Sequence, residues 1–355
     1  MIPMAANSWL RLAHLWIGLS AGLFLVLIGI TGSLLVFQSE LDQVLNPSLF
    51  QPETSDQRLL TPEDARRLME AEAPSDQFVT FLRLPGRSGQ VYQGYYGSSE
   101  RLFHTFVTVD PYQREVMGSR AVDDGIMRFV HMLHFRLHLG RSGQNLVGTI
   151  GLLSLVLFMA GAAMLWQRRG GQTLMRRWHP RLALYSLPVL ALVVISGVLL
   201  ALPQYTRPAV EQLSPLGGLD LSLESTLIDS SEDIGLSTAL NRSSEVMPEA
   251  RPVSVGLPRG EKGIYRVSLA APEETWQWRG SAHVVIDRYS GEVLSQRHWS
   301  QRSGGDHFMA WLRPLHGGSA FGLVGKILYA LIGLLPLFLY ITGVRIWLRR
   351  RGQKP

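Results

Sequence analysis

The chain holds no cysteine among its 355 residues. That excludes a disulfide framework, a thiolate metal site and an iron–sulfur cluster. It also excludes covalent haem attachment, which needs C-x-x-C-H. No G-x-G-x-x-G run is present, and no segment between the apolar stretches on the arginine-rich side exceeds about 20 residues, less than the ~30 of a single βαβ unit. A flavin or nicotinamide domain therefore has no room on that side. Charge is absent over four long runs: Leu15–Phe37, Leu146–Trp166, Leu182–Tyr205 and Ile327–Val344. A helix crosses the hydrocarbon core with about 20 mostly apolar residues, and Lys326 and Arg345 at the ends of the shortest run can snorkel to the interface. The first run is too long for a signal peptide and lacks a small-residue cleavage site, so it reads as a retained helix. None of the runs carries Asp or Glu, which argues against ion-coupled transport, although parallel repeats also occur in transporters.

The expected layout is four membrane helices at 9–37, 144–167, 182–205 and 321–348. Segments 38–143 and 206–320 lie outside, 168–181 is a loop and 349–355 a tail. Arginine sets the orientation. Arg168, Arg169, Arg176, Arg177 and Arg181 crowd the short loop, Arg345, Arg349, Arg350, Arg351 and Lys354 the tail, and Arg11 precedes the first helix. The positive-inside rule puts these in the cytoplasm and both long segments in a periplasm. The net charge of +6 is thereby explained by topology, with no nucleic-acid partner.

The chain repeats itself. Sliding the first helix onto the third without a gap matches Arg11 with Arg176, His14 with His179, Ile30 with Ile195, Thr31 with Ser196 and Gly32 with Gly197. Sliding the second onto the fourth matches Leu133-His134 with Leu315-His316, Asp124 with Asp306, Gly143 with Gly325, Gly151 with Gly333 and Gly161 with Gly343. The outer segments repeat as well: Val107 to Val116 and Val284 to Val293 each read as strand, Asp-initiated turn and strand. Thr61-Pro62-Glu63-Asp64 starts a helix running to about Ala73. Strands are expected at 78–84, 91–96, 253–257 and 264–269, with a fainter helix near 237–247. The rest of 214–250 reads as loop. The fold class is thus membrane α-helical with α+β extramembrane parts, in two repeated halves.

Filtering by the repeat reduces ten histidines to four. His14 and His179 stand before the first and third runs on the cytoplasmic side; His134 and His316 stand before the second and fourth on the outer side. Haem iron in an electron carrier takes two axial ligands, and neutral imidazoles from neighbouring helices supply them. Two b-type haems, one per face, are the expectation. His131, His134 and His138 share one helical face. Only His134 has a repeat partner, which makes it the ligand and His138 the reserve; a zinc or copper site built from the trio is the rival. His104, His283, His298 and His307 take surface or core roles. The helix glycines read as close-packing positions, though they can also make room for a porphyrin. Trp276, Trp278, Trp299 and Trp311 read as core or interface aromatics. As a substrate site, Trp276, Trp278 and Trp311 with Arg279 and Arg313 can face an anionic chelate.

The run His14-Leu15-Trp16-Ile17-Gly18 with Gly29-Ile30-Thr31-Gly32 resembles the first helix of the PepSY-associated transmembrane family. Leu133-His134 with Gly148 and Gly151 resembles its second. Leu315-His316-Gly317 with Thr342-Gly343 and Trp347 resembles its last. The V-x-[VI]-D-x-Y-x-x-E-V strands resemble the PepSY repeat, with departures at Gln113-Arg114 and at Arg288-Tyr289-Ser290-Gly291. The resemblance implies two PepSY-like periplasmic units and an inner-membrane ferric-siderophore reductase carrying two b-haems. Electrons from quinol or from a separate cytoplasmic reductase would pass outward to a ferric siderophore or other ferric chelate, releasing ferrous iron. The alternatives are a haem-bearing subunit serving another periplasmic enzyme, and a non-redox binding or regulatory membrane protein.

Overall fold

A computed structural model describes residues 4–53, 59–87, 89–98, 100–166, 174–218, 222–227, 232–272 and 280–351. Its elements run α1 (Met4–Leu35), α2 (Gln38–Leu45), α3 (Pro47–Phe50), α4 (Pro62–Ala71), β1 (Phe78–Arg83), β2 (Tyr92–Gly97), β3 (Thr105–Asp110), β4 (Glu115–Ala121), α5 (Ile126–Arg136), α6 (Gly140–Trp166), α7 (Leu174–Ala201), α8 (Pro203–Leu213), α9 (Gly235–Val246), β5 (Arg251–Gly256), β6 (Ile264–Ala270), β7 (Ala282–Asp287), β8 (Val293–Arg297), α10 (Gly304–His316) and α11 (Gly322–Arg351). They form two compact units. One gathers residues 1–39, 125–216 and 303–355, the other 40–124 and 217–302.

The helical unit is a ring in which α1 packs against α6 and α11, and α7 packs against the same two. All four are long and apolar enough to cross a membrane. Leu23, Leu152, Leu184 and Leu331 point outward, as lipid-facing residues do. The protein is a membrane protein. Small residues let α1 and α11 touch backbone to backbone at Gly29 and Gly333, and Ser33 Oγ donates to Ala330 O at 2.8 Å across the crossing. At the α6–α7 crossing, Gly151 instead faces Val198. The third membrane helix starts earlier and stops earlier than expected. Regular α-helix reaches back to Leu174 and ends at Ala201, where Pro203, which has no N–H to donate, opens α8 instead.

The other unit is an eight-stranded antiparallel sheet in the order β4-β3-β2-β1-β5-β6-β7-β8. The sequence suggests two separate α+β pieces. They are one sheet, because β1 and β5 pair through Phe81 with Gly256, Leu82 with Val255 and Arg83 with Ser254. Leu82 and Val255 are fully buried. α4 and α9 cover one face, and Met69, Ala65, Leu236 and Ala239 join Val107, Val267 and Val284 in a single core. Thr61 caps α4 by accepting the Asp64 N–H at 3.2 Å. Glu63 of α4 reaches α9, accepting from Leu236 N at 3.1 Å.

Each Asp-initiated turn is a clasp. Asp110 Oδ1 accepts from Tyr112 N at 2.7 Å and Gln113 N at 3.1 Å, while Oδ2 accepts from Glu53 N at 2.9 Å. Asp287 does the same with Tyr289 N (2.8 Å), Ser290 N (2.9 Å) and Thr226 N (2.8 Å). The turn preference of aspartate was legible in the sequence. The capture of a distant incoming strand of chain was not.

Candidate functional site

The site is built from two short helices, α5 and α10, that lead into membrane helices. α10 is started by a capping box: Ser303 Oγ accepts from Asp306 N at 3.0 Å and Asp306 Oδ2 accepts from Ser303 N at 2.9 Å. α5 stops where Leu137 and His138 both turn left-handed. α5 packs on α1 and α10 on α7, so each places its histidine against the far end of a membrane helix.

His134 Nδ1 lies 2.9 Å from Ile28 O and 3.1 Å from Thr31 Oγ1. His316 Nδ1 lies 2.9 Å from Val193 O and 3.3 Å from Ser196 Oγ. A carbonyl oxygen only accepts, so in both rings Nδ1 carries the proton and Nε2 keeps its lone pair. Among the described residues neither Nε2 makes a hydrogen bond. The two ring centres are 6.0 Å apart with planes inclined by 50°. Burial pushes the His134 imidazole down to about 3, and the neighbouring His316 adds to it. Burial likewise pushes His316 below its ordinary value. Both rings are neutral at physiological pH, the form that binds a metal.

Each ring rests on a glycine. A Cβ added at Gly32 would meet His134 Cε1 at 2.9 Å, and one at Gly197 would meet His316 Cε1 at 2.8 Å. At the other end of the ring of helices, His14 of α1 lies over Gly161 of α6 (3.1 Å from an added Cβ) and His179 of α7 over Gly343 of α11 (3.6 Å). His14 Nδ1 is 3.2 Å from Leu157 O, and His179 Nδ1 is 2.8 Å from Thr342 Oγ1. Thr342 Oγ1 donates to Phe338 O at 2.9 Å, so it accepts from the imidazole. All four repeat-matched histidines thus sit on repeat-matched glycines. The close packing expected at these glycines is made by the histidine rings. The signal was present in the sequence, where Thr31, Ser196 and Thr342 stand directly before three of the four glycines.

The chain matches the model of the PepSY-associated TM region over residues 11–350. It belongs to the PepSY-associated transmembrane family. No curated protein matches it. In this family member the remaining candidates fall in different places. His138 is exposed in the turn after α5, its Nε2 3.0 Å from Phe129 O and its ring 4.5 Å from the Phe129 ring. His131 stacks on Phe135 at 5.9 Å and 7°. The trio therefore does not converge, and among the described residues no group of three or more His, Asp or Glu could hold a metal ion. Arg313 and the half-exposed Trp311 lie on α10. Trp276, Trp278 and Arg279 lie outside the described residues. Of the unmatched histidines, His283 pairs with Ser268 Oγ at 3.2 Å within the sheet and His298 with Glu249 at 3.2 Å.

Proposed function

We propose that this protein is an inner-membrane b-type haem reductase that passes electrons outward to a ferric siderophore or similar ferric chelate. The observation that carries the reading is the His134–His316 pair. A metal–imidazole bond is about 2 Å and the ring centre lies about 1 Å behind the nitrogen, so two imidazoles sharing one iron hold their centres about 6 Å apart. The observed 6.0 Å fits that spacing, and both Nδ1 atoms are already engaged. When bound, haem supplies reversible one-electron chemistry. The residues of this chain do the rest. His134 and His316 present Nε2, and the carbonyls of Ile28 and Val193 fix the tautomer and ring orientation, as outer partners of ligand histidines do. His14 and His179, seated on Gly161 and Gly343, would hold a second haem toward the cytoplasmic side.

The repeat supports two equivalent halves, each contributing one PepSY-like unit to the sheet. The arginine-rich segments support a topology with both termini in the cytoplasm and the sheet in the periplasm. Quinol, which gives up two electrons and two protons, or a separate cytoplasmic reductase is the donor; each ferric ion takes one electron and is released as the weakly chelated ferrous ion. The test is a pyridine-haemochrome count on protein purified from haem-replete cells, followed by anaerobic addition of a ferric hydroxamate to the dithionite-reduced protein. Two haems per chain, reoxidised by the chelate, are expected. A colourless protein overturns the reading.

A further inference from the structure

We propose that His131, Arg136 and Arg313 form a carboxylate seat beside the His134–His316 pair. The inference rests on the haem reading for one of its two ligand sources. His131 stands one helical turn before His134 on α5, and Arg313 one turn before His316 on α10. With the two histidine rings 6.0 Å apart, these positions are neighbours, and the Arg313 charge bears on His131. The Phe135 ring lies parallel to His131 at 5.9 Å and 5.2 Å from the Arg136 guanidinium carbon, so His131, Phe135 and Arg136 make one layered cluster. Arg136 Nε is buried and makes no hydrogen bond among the described residues.

Among the described residues neither Arg136 nor Arg313 forms an ion pair. α5 contains no Asp or Glu, and Arg128 adds a further positive charge to it. In α10 the acidic residue is Asp306, which is buried and bound into the capping box. Burial pushes His131 below its ordinary value, and Arg313, Arg128 and Arg136 add to the fall. The half-buried Arg136 keeps its Nε out of water without a hydrogen-bond partner while Arg313 is exposed, and the planar fork of each matches a carboxylate. Two sources supply carboxylates at this place: the propionates of a haem held by His134 and His316, and an anionic chelate approaching it.

The test uses the full chain in detergent, wild type against an Arg136→Gln/Arg313→Gln double variant and a Lys/Lys control, with an Arg313→Gln single variant in case the double variant misfolds. Haem per chain, midpoint potential and binding of citrate are measured. A Gln variant that loses one haem, or keeps it at a lower potential, with citrate binding intact assigns the seat to propionates. Citrate binding weakened about tenfold, as one charge-assisted hydrogen bond would give, with haem and potential unchanged assigns it to a free chelate. In either case the Lys control lies closer to wild type. Unchanged haem, potential and citrate binding overturn the seat. If the wild type carries no haem, the haem reading fails and citrate decides alone: binding weakened by Gln upholds the seat, and no binding or an unchanged affinity overturns it.

Discussion

The two ends of the helix ring are made differently. At the α5–α10 end the two halves are near copies: a histidine on a short helix, its Nδ1 bonded to a carbonyl (Ile28 or Val193) at 2.9 Å in both, and a glycine 2.8–2.9 Å from its Cε1 once a Cβ is added. At the end holding His14 and His179 they diverge. His179 bonds the Thr342 hydroxyl, whereas the repeat position of Thr342 is Ala160 and His14 turns to the Leu157 carbonyl instead. The glycine seats loosen from 3.1 Å at Gly161 to 3.6 Å at Gly343. Thr342 supplies a hydroxyl in one half that Ala160 lacks in the other, and the two imidazoles have different partners.

The largest way to break this comparison is to remove a histidine proposed as a haem ligand. His316→Ala is expected to halve the haem count, and His179→Ala to halve it by loss of the other haem, both read by pyridine haemochrome; potentiometry then shows which potential each variant has lost. A His134→Ala protein with its full count would separate the pair from haem. Next come the seats. Gly197→Ala or Gly32→Ala overpacks an imidazole and is expected to cost about 1–3 kcal/mol, read as a lower melting temperature in detergent. Gly343→Ala meets only ordinary contact and is expected to be neutral or to gain up to about 1 kcal/mol of helix propensity. Equal melting temperatures for the variants would mean the tight seats are not tight.

The clasps offer a third contrast, since Asp110 and Asp287 are built alike. Asp110→Asn and Asp287→Asn should each destabilise the sheet by about 1–3 kcal/mol. Burial alone raises the Asp287 carboxyl, but the N–H groups of Ser290, Tyr289 and Thr226 outweigh it and hold it below its ordinary value. Its contribution is therefore complete above the unfolded pKa of about 4 and fades as pH falls through the lower folded value. The melting temperature of the wild type should drop more steeply below pH 4 than that of Asp287→Asn; parallel curves would remove the carboxylate from the account. A smaller effect than the clasps is expected from Thr342→Ala, which takes the hydroxyl from His179 at a cost of about 1 kcal/mol and should move one haem potential while leaving the other in place.

The sequence makes the four spans legible because bilayer length is a strong constraint, and Thr61 and the Asp turns are legible because caps and turns are local. The strand positions at β1, β2, β5 and β6 follow from alternation to within about two residues. The β1–β5 pairing is invisible at that level. It joins Leu82 to Val255, and nothing local distinguishes an edge strand that will find a distant partner from one that will not. The repeat brings out His134 and His316 as equivalent positions. It does not reveal that they meet, since that depends on how α5 and α10 fold back on α1 and α7. The end of α7 at Ala201 depends on Pro203, a residue type that was in view but lay inside a charge-free run.

The central strand pair has a consequence for biogenesis. β1 emerges from the ribosome long before β5, and the polypeptide between them includes α6 and α7, two segments that must be inserted in the bilayer first. Until residues 251–256 have been synthesised, the early meander waits with the bonding edge of β1 open, the kind of edge that recruits stray strands. Closing a loop of roughly 170 residues carries an entropic cost that grows only slowly with length, so delay, more than cost, is the hazard. A truncation after α8 would leave that edge open permanently, and such a fragment should aggregate or be degraded even though its three membrane helices are complete.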